Sequence, residues 1–260
     1  MSGSTTAAGA FSPLPGAAPL PRMVLAQAGM EARLMLRNGE QLLLAVVIPV
    51  IVLFGGVMGS DRIGLDFTRS AVDTLTPGVL ALAIMSTAFT SLAIATGFER
   101  RYGVIKRLGT SPLSRSALLA GKILALLLVE VLQVVVISAV ALALGWDPRA
   151  SVLGVLLAIV LGTAAFAGLG LALAGSLRAE ATLAAANLVY LLLLAGGAVV
   201  LPMSAYGDFG EVVRWLPSGA LGNAMREALN DATVAWRELA VLGGWATIGT
   251  VLTARTFKWE

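Results

Sequence analysis

Six stretches of this sequence, at about 41–59, 76–97, 117–145, 151–175, 183–202 and 236–254, are apolar over the ~20 residues an α-helix needs to cross a bilayer. Within lipid every backbone N–H and C=O must find an internal partner, so continuous apolar runs of this length imply helices. Only 13% of the 260 residues are charged, against roughly 25% in soluble domains. So apolar a chain cannot clothe itself in a polar surface. The expected fold is therefore an all-α integral membrane protein with six transmembrane helices.

Lysine and arginine set the orientation. With the N-terminus inside, twelve basic residues fall in cytoplasmic segments and six in outer ones. The bias predicts that both termini are cytoplasmic. Of the 18 basic residues 15 are arginine, a usage that fits a GC-rich bacterial genome and a bacterial cytoplasmic membrane. The net charge of +3 is spent at the ends of apolar runs, which argues against a nucleic-acid partner.

Residues 1–21 are Ser, Thr, Ala, Gly and Pro, with Pro13, Pro15, Pro19 and Pro21 barring a helix; they read as a disordered cytoplasmic tail rather than a secretory signal. Residues 22–39 fit an amphipathic interface helix, with Val24, Leu25, Ala28, Ala32, Met35 and Leu36 on one side and Arg33, Arg37 and Glu40 on another. A plain extension of the first span fits equally. Pro49 is expected to kink that span, and the glycines of the fourth and fifth spans to mark close helix contacts. Between the last two spans, Leu221, Ala224, Met225, Ala228 and Leu229 repeat at helical spacing, with Arg226 and Glu227 off the stripe.

The chain has no Cys and no His, which excludes thiol and imidazole catalysis and zinc sites built from those ligands. No catalytic or metal-ligating residue is expected. Gly121-Lys122 is followed by Ile123, and no phosphate-cradling G-x-x-x-x-G-K-[ST] occurs, so no nucleotide or other cofactor is expected on this chain.

The longest cytoplasmic loop, 98–117, mixes Glu99, Arg100, Arg101, Lys106, Arg107 and Arg115 with Tyr102, Val104, Ile105 and Leu108. It reads as a short helix broken near Gly109 and Ser111-Pro112. Such a helix can dock into a cytoplasmic partner or rest on anionic lipid. Glu99-Arg100-Arg101-Tyr102-Gly103, the run from Lys106 to Arg115, and Gly121-Lys122 resemble the cytoplasmic loop of the membrane subunits of ABC type-2 exporters. The resemblance implies that Glu99, Arg100, Arg101, Tyr102, Val104, Lys106, Arg107 and Leu108 form a coupling helix against a separate ATPase subunit, which would hold ATP and Mg. It also implies that residues 203–235 form an outer segment dipping toward the membrane. A second permease, identical or related, would complete the pathway in the bilayer. A chain of this length with six spans leaves no room for a fused ATPase domain.

Three polar residues lie within spans: Glu130, Gln133 and Asn187. A carboxylate at membrane depth costs roughly 2.5–3.5 kcal/mol, so Glu130 should face protein or water. These residues fit a substrate pathway or a contact between permeases, and equally a hydrogen bond between helices of one chain. The expected function is export of a hydrophobic or amphipathic substrate such as a drug, antibiotic or lipid. An ion-coupled transporter using Glu130, or a non-transporting scaffold, are the alternatives.

Overall fold

The computed structural model describes residues 18–63, 69–108 and 114–256. Among them all regular structure is helical. Helix α1 (Leu20–Arg37) breaks at Asn38 and is followed by α2 (Gly39–Ile63). Next come α3 (Ala71–Met85), a π-helical segment (Ser86–Ser91) and α4 (Leu92–Arg101), which form one continuous 31-residue rod. Helix α5 (Val104–Leu108) is short. Helices α6 (Arg115–Ala143), α7 (Val152–Ser176) and α8 (Ala179–Gly196) follow. Then come a 3-10 turn (Met203–Phe209), α9 (Gly210–Val213), α10 (Pro217–Asn230) and α11 (Trp236–Thr256).

Four helices, at Ala71–Arg101, Ala117–Ala143, Val152–Ser176 and Ala179–Gly196, are long and apolar enough to cross a membrane. The stretch expected as the first span lies within α2, whose apolar part among the described residues is Ala45–Ser60. The last is α11, of spanning length but diluted by Gly243, Gly244 and four threonines.

Several boundaries differ from expectation. Helix α1 begins at Leu20, with Pro21 in its first turn, where a missing N–H removes no helical bond. The remainder of the expected tail, residues 1–17, lies outside the described residues, as do the loop breakers Gly109, Ser111 and Pro112. The fifth span ends at Gly196 rather than 202, because Gly197 and then Ala198, at φ 48°, turn the chain. Arg226 is not on a polar face of α10. It is buried, like all of that helix except Asn223 and Glu227, which are half-buried.

Of the four long apolar helices the α3–α4 rod is the most enclosed, with 78% of its apolar core stretch buried, and α8 the least, at 17%. Helix α7 packs on the rod and on α11 through small residues. A Cβ on Gly168 would lie 3.0 Å from the Gly249 carbonyl carbon, and one on Gly249 would lie 2.8 Å from that of Gly168. The obstacle on each side is backbone, which cannot rotate away. Gly249→Val is therefore expected to separate α7 from α11 and lower the thermal stability of the detergent-solubilised protein, read by size-exclusion after heating. Gly249→Ser should fall between the two.

Both prolines within apolar helices are compensated from outside. Pro49 has no N–H for the Ala45 carbonyl four residues back. Gln133 Nε2, on α6, donates to that carbonyl at 2.8 Å. Pro77 likewise frees the Asp73 carbonyl, and Asn230 Nδ2, on α10, donates to it at 3.1 Å. Each break in a backbone ladder thus becomes a bond between helices.

Candidate functional site

Two regions carry the residues singled out in the sequence: the α4–α5 turn, and the polar positions among α2, α3–α4, α6, α7 and α8. The turn exists because Gly103 sits at φ +68°, a conformation open to glycine without strain, so α4 stops and α5 leaves in a new direction. The expected single helix over 99–108 is therefore two pieces.

Glu99, Arg100 and Arg101, before the turn, are bonded to neighbouring helices. Glu99 Oε1 accepts from Lys122 Nζ at 2.8 Å. Arg100 Nη1 donates to the Ala174 carbonyl in the last turn of α7, an orphan that a helix C-terminus leaves open. Arg101 pairs with Glu180 at the start of α8. Its guanidinium lies 5.8 Å from the centre of the Tyr102 ring, and that ring stacks on Phe98 at 6.1 Å. The residues after it face out: Tyr102 is 65% exposed and Val104 38%, and Lys106 and Arg107 are exposed too. Leu108 closes α5, and its side chain lies outside the described residues. The sequence pattern thus divides into a root fastened to α6, α7 and α8, and a tip that presents an aromatic, an aliphatic and two cations.

Glu130 and Gln133 are fully buried in the single chain. Glu130 Oε2 accepts from Thr163 Oγ1 on α7 at 2.5 Å. Gln133 Nε2 donates to the Ala45 carbonyl and to Thr87 Oγ1 in the π segment, both at 2.8 Å. Asn187 stands apart from both. It lines a cavity of about 530 Å³ between α2, the π segment, α4 and α8, with Ser86, Thr90, Ser91, Tyr190 and Ile94 among its other walls. A π turn widens the helix by one residue, and such turns recur at functional sites. Here it gathers Ser86, Thr90 and Ser91 on the cavity side.

Sequence reasoning missed Arg226 and Lys122. Arg226 is buried on α10 and donates to the carbonyls of Val199 at 2.9 Å and Val200 at 2.5 Å, just past the end of α8. Gly78 and Gly222 make room for it: a Cβ on either would press on those carbonyls or on the guanidinium. A lone cation beside the apolar stripe of α10 was the available signal. Nearby, Asn223 Nδ2 donates to Glu227 Oε1 at 3.0 Å and Glu238 Oε1 at 3.1 Å. Burial, and then the neighbouring Glu238, hold the Glu227 carboxyl above the usual range. Among the described residues no group of three or more acidic, His or Cys side chains is placed to hold a metal.

A family model described as "ABC-2 family transporter protein" matches residues 66–255. The chain belongs to the ABC-2 transporter family. No curated protein matches it significantly. As an ABC-2 permease it is a multi-pass membrane protein, and its apolar helices are its transmembrane body. The match takes in the α4–α5 turn, the cavity walls of α4 and α8, and the segment that carries α10; α1 and α2 precede it. Membrane subunits of this family are typically non-catalytic and associate with an ABC ATPase.

Proposed function

We propose that this ABC-2 permease is the transmembrane subunit of an ATP-driven exporter, with six spans, both termini in the cytoplasm of a bacterial cell, and α1 lying in the membrane interface. The observation that carries the reading is the construction of the α4–α5 turn. Its root is held by Glu99, Arg100 and Arg101, while Tyr102, Val104, Lys106 and Arg107 stand exposed beyond it. A rigidly based, exposed helix with apolar and cationic groups is suited to receive force from a soluble partner. That partner is a separate ATPase chain carrying ATP and Mg, and a second copy or a related permease completes the pathway.

The cavity beside Asn187 supports the substrate class. Its volume of about 530 Å³ falls within the range of small-molecule sites, ~300–1,000 Å³. Among the described residues its walls combine Ser, Thr, Asn and Tyr with Ile, Leu and Ala, and none of these is charged. This composition favours an uncharged or amphipathic molecule, in keeping with a drug, antibiotic or lipid. The test of the ATPase reading is co-purification of the tagged permease from its native membrane. A soluble ATPase is expected to come with it, and a folded permease isolated without one would overturn the reading.

One observation favours a second reading, ion-coupled transport. Glu130 is buried without a cationic partner, and its Oε1 accepts no hydrogen bond among the described residues. Under that reading Glu130→Gln abolishes transport, whereas an ATP-driven permease retains a substantial part of it.

A further inference from the structure

Lys122 sits in the second turn of α6 with its side chain only 5% exposed. Its ammonium donates to two carboxylates, Glu31 Oε1 on α1 at 2.9 Å and Glu99 Oε1 on α4 at 2.8 Å. Gln27, one turn before Glu31, donates to the same Glu31 oxygen at 2.9 Å. The neighbouring Gly121 lets α1 come this close, because a Cβ there would lie 2.7 Å from Gln27 Cγ. The rest of the α1 contact face pairs small buried residues, Ala28 and Ala32, with half-buried Val24 and Met35, the latter packed on the cluster that holds Leu92 and Leu126. Leu25, Met30 and Leu34 are exposed, and Lys122 adds the charged tie to this modest apolar contact. Glu99, the other carboxylate, stands three residues before exposed Tyr102.

We infer that Lys122 is a positioning residue for energy coupling, clamping the interface helix α1 and the root of the docking turn to α6 as one body. The inference rests on the docking reading of the α4–α5 turn. A displacement of α5 is passed through Glu99 and Lys122 to α6, and through Glu31 to α1. Without the clamp, α1 stays behind, and part of the stroke is absorbed between α1 and α6. Gly121 and Lys122, adjacent in sequence, thereby acquire distinct tasks: one admits α1, the other ties it down.

The diagnostic variant is Glu31→Gln. It removes the charge that ties α1, leaving at most a neutral amide acceptor, and keeps Lys122 and Glu99 as a balanced pair, whereas Lys122→Met leaves two carboxylates facing each other. The full chain has no cysteine, so Leu25→Cys and Tyr102→Cys can be spin-labelled without background and their separation measured in the permease alone in lipid nanodiscs. The clamp predicts a narrow distance distribution that broadens on Glu31→Gln and stays narrow on Lys122→Arg. In the ATPase complex, Glu31→Gln should leave ATPase binding and hydrolysis within about twofold of wild type and lower substrate moved per ATP at least fivefold. An unchanged distribution with an unchanged transport ratio overturns the inference. Loss of a folded, monodisperse Glu31→Gln protein also overturns it, by reducing the contact to a folding requirement. If the wild-type chain binds no ATPase, the proposed function fails by itself, and the distance measurement still decides whether the clamp exists.

Discussion

Replacing Lys106 and Arg107 together by glutamate is expected to lower recovery of the ATPase on the order of tenfold or more, while the permease itself elutes and melts as before. Like charges brought face to face across an interface cost several kcal/mol, and each ~1.4 kcal/mol is a factor of ten in affinity. Both side chains are exposed on α5, beyond the fastened root, and elution and melting of the variant permease, measured alongside, separate docking from folding. The same reversal at Arg100 and Arg101 is less informative, because those residues hold the frame: Arg100 caps the Ala174 carbonyl of α7 and Arg101 pairs with Glu180 of α8. Tyr102→Ala should reproduce part of the loss without a change of charge, since it removes the exposed ring from the tip. Pull-down of the complex at two salt concentrations checks the electrostatic share, which should shrink as salt rises.

Gln133→Leu is expected to destabilise the permease by about 1–3 kcal/mol, the cost of leaving a buried carbonyl unpaired. The carbonyl is that of Ala45, which Pro49 deprives of its helical donor and Gln133 serves from α6. The effect should therefore depend on the proline. In a Pro49→Ala background the helix regains its own N–H at position 49, and Gln133→Leu should cost clearly less. It should not fall to zero, because Gln133 also donates to Thr87 Oγ1. Thermal melting of the four proteins in the cycle measures the coupling. Equal losses in both backgrounds would show that the glutamine acts through something other than the proline's missing donor.

The helices were legible because apolar runs of this length leave the backbone little choice, and the family resemblance was legible in the loop because Glu99 to Arg115 and Gly121-Lys122 keep their spacing on a short, local stretch. Pairings across many residues were not. Nothing between Pro49 and Gln133 announces that the amide on α6 repairs the gap in α2, because the partner is set by how helices pack. Arg226 was read as lying off the apolar stripe of α10, which does not announce its burial, because α10 is enclosed by α3, α7 and α11. For α1 the stripe did not tell which of its residues meet α6: Ala28 and Ala32 are buried beside Gln27, whereas Leu25 and Leu36 are exposed. In a membrane protein the larger apolar side chains can face lipid while small ones meet other helices, so hydrophobicity alone does not say which face is inside. Glu31 drew no notice for the same reason, although it closes the contact with Lys122.

The central claim is that this permease moves its substrate with energy received from a partner ATPase. The most direct measurement is flux in proteoliposomes holding the purified permease–ATPase complex, with ATP supplied on the ATPase side. The account predicts substrate movement away from the ATPase side that requires hydrolysable ATP and disappears when Lys106 and Arg107 are replaced by glutamate. Transport that proceeds without ATP, runs on an imposed proton or sodium gradient and is abolished by Glu130→Gln would contradict it.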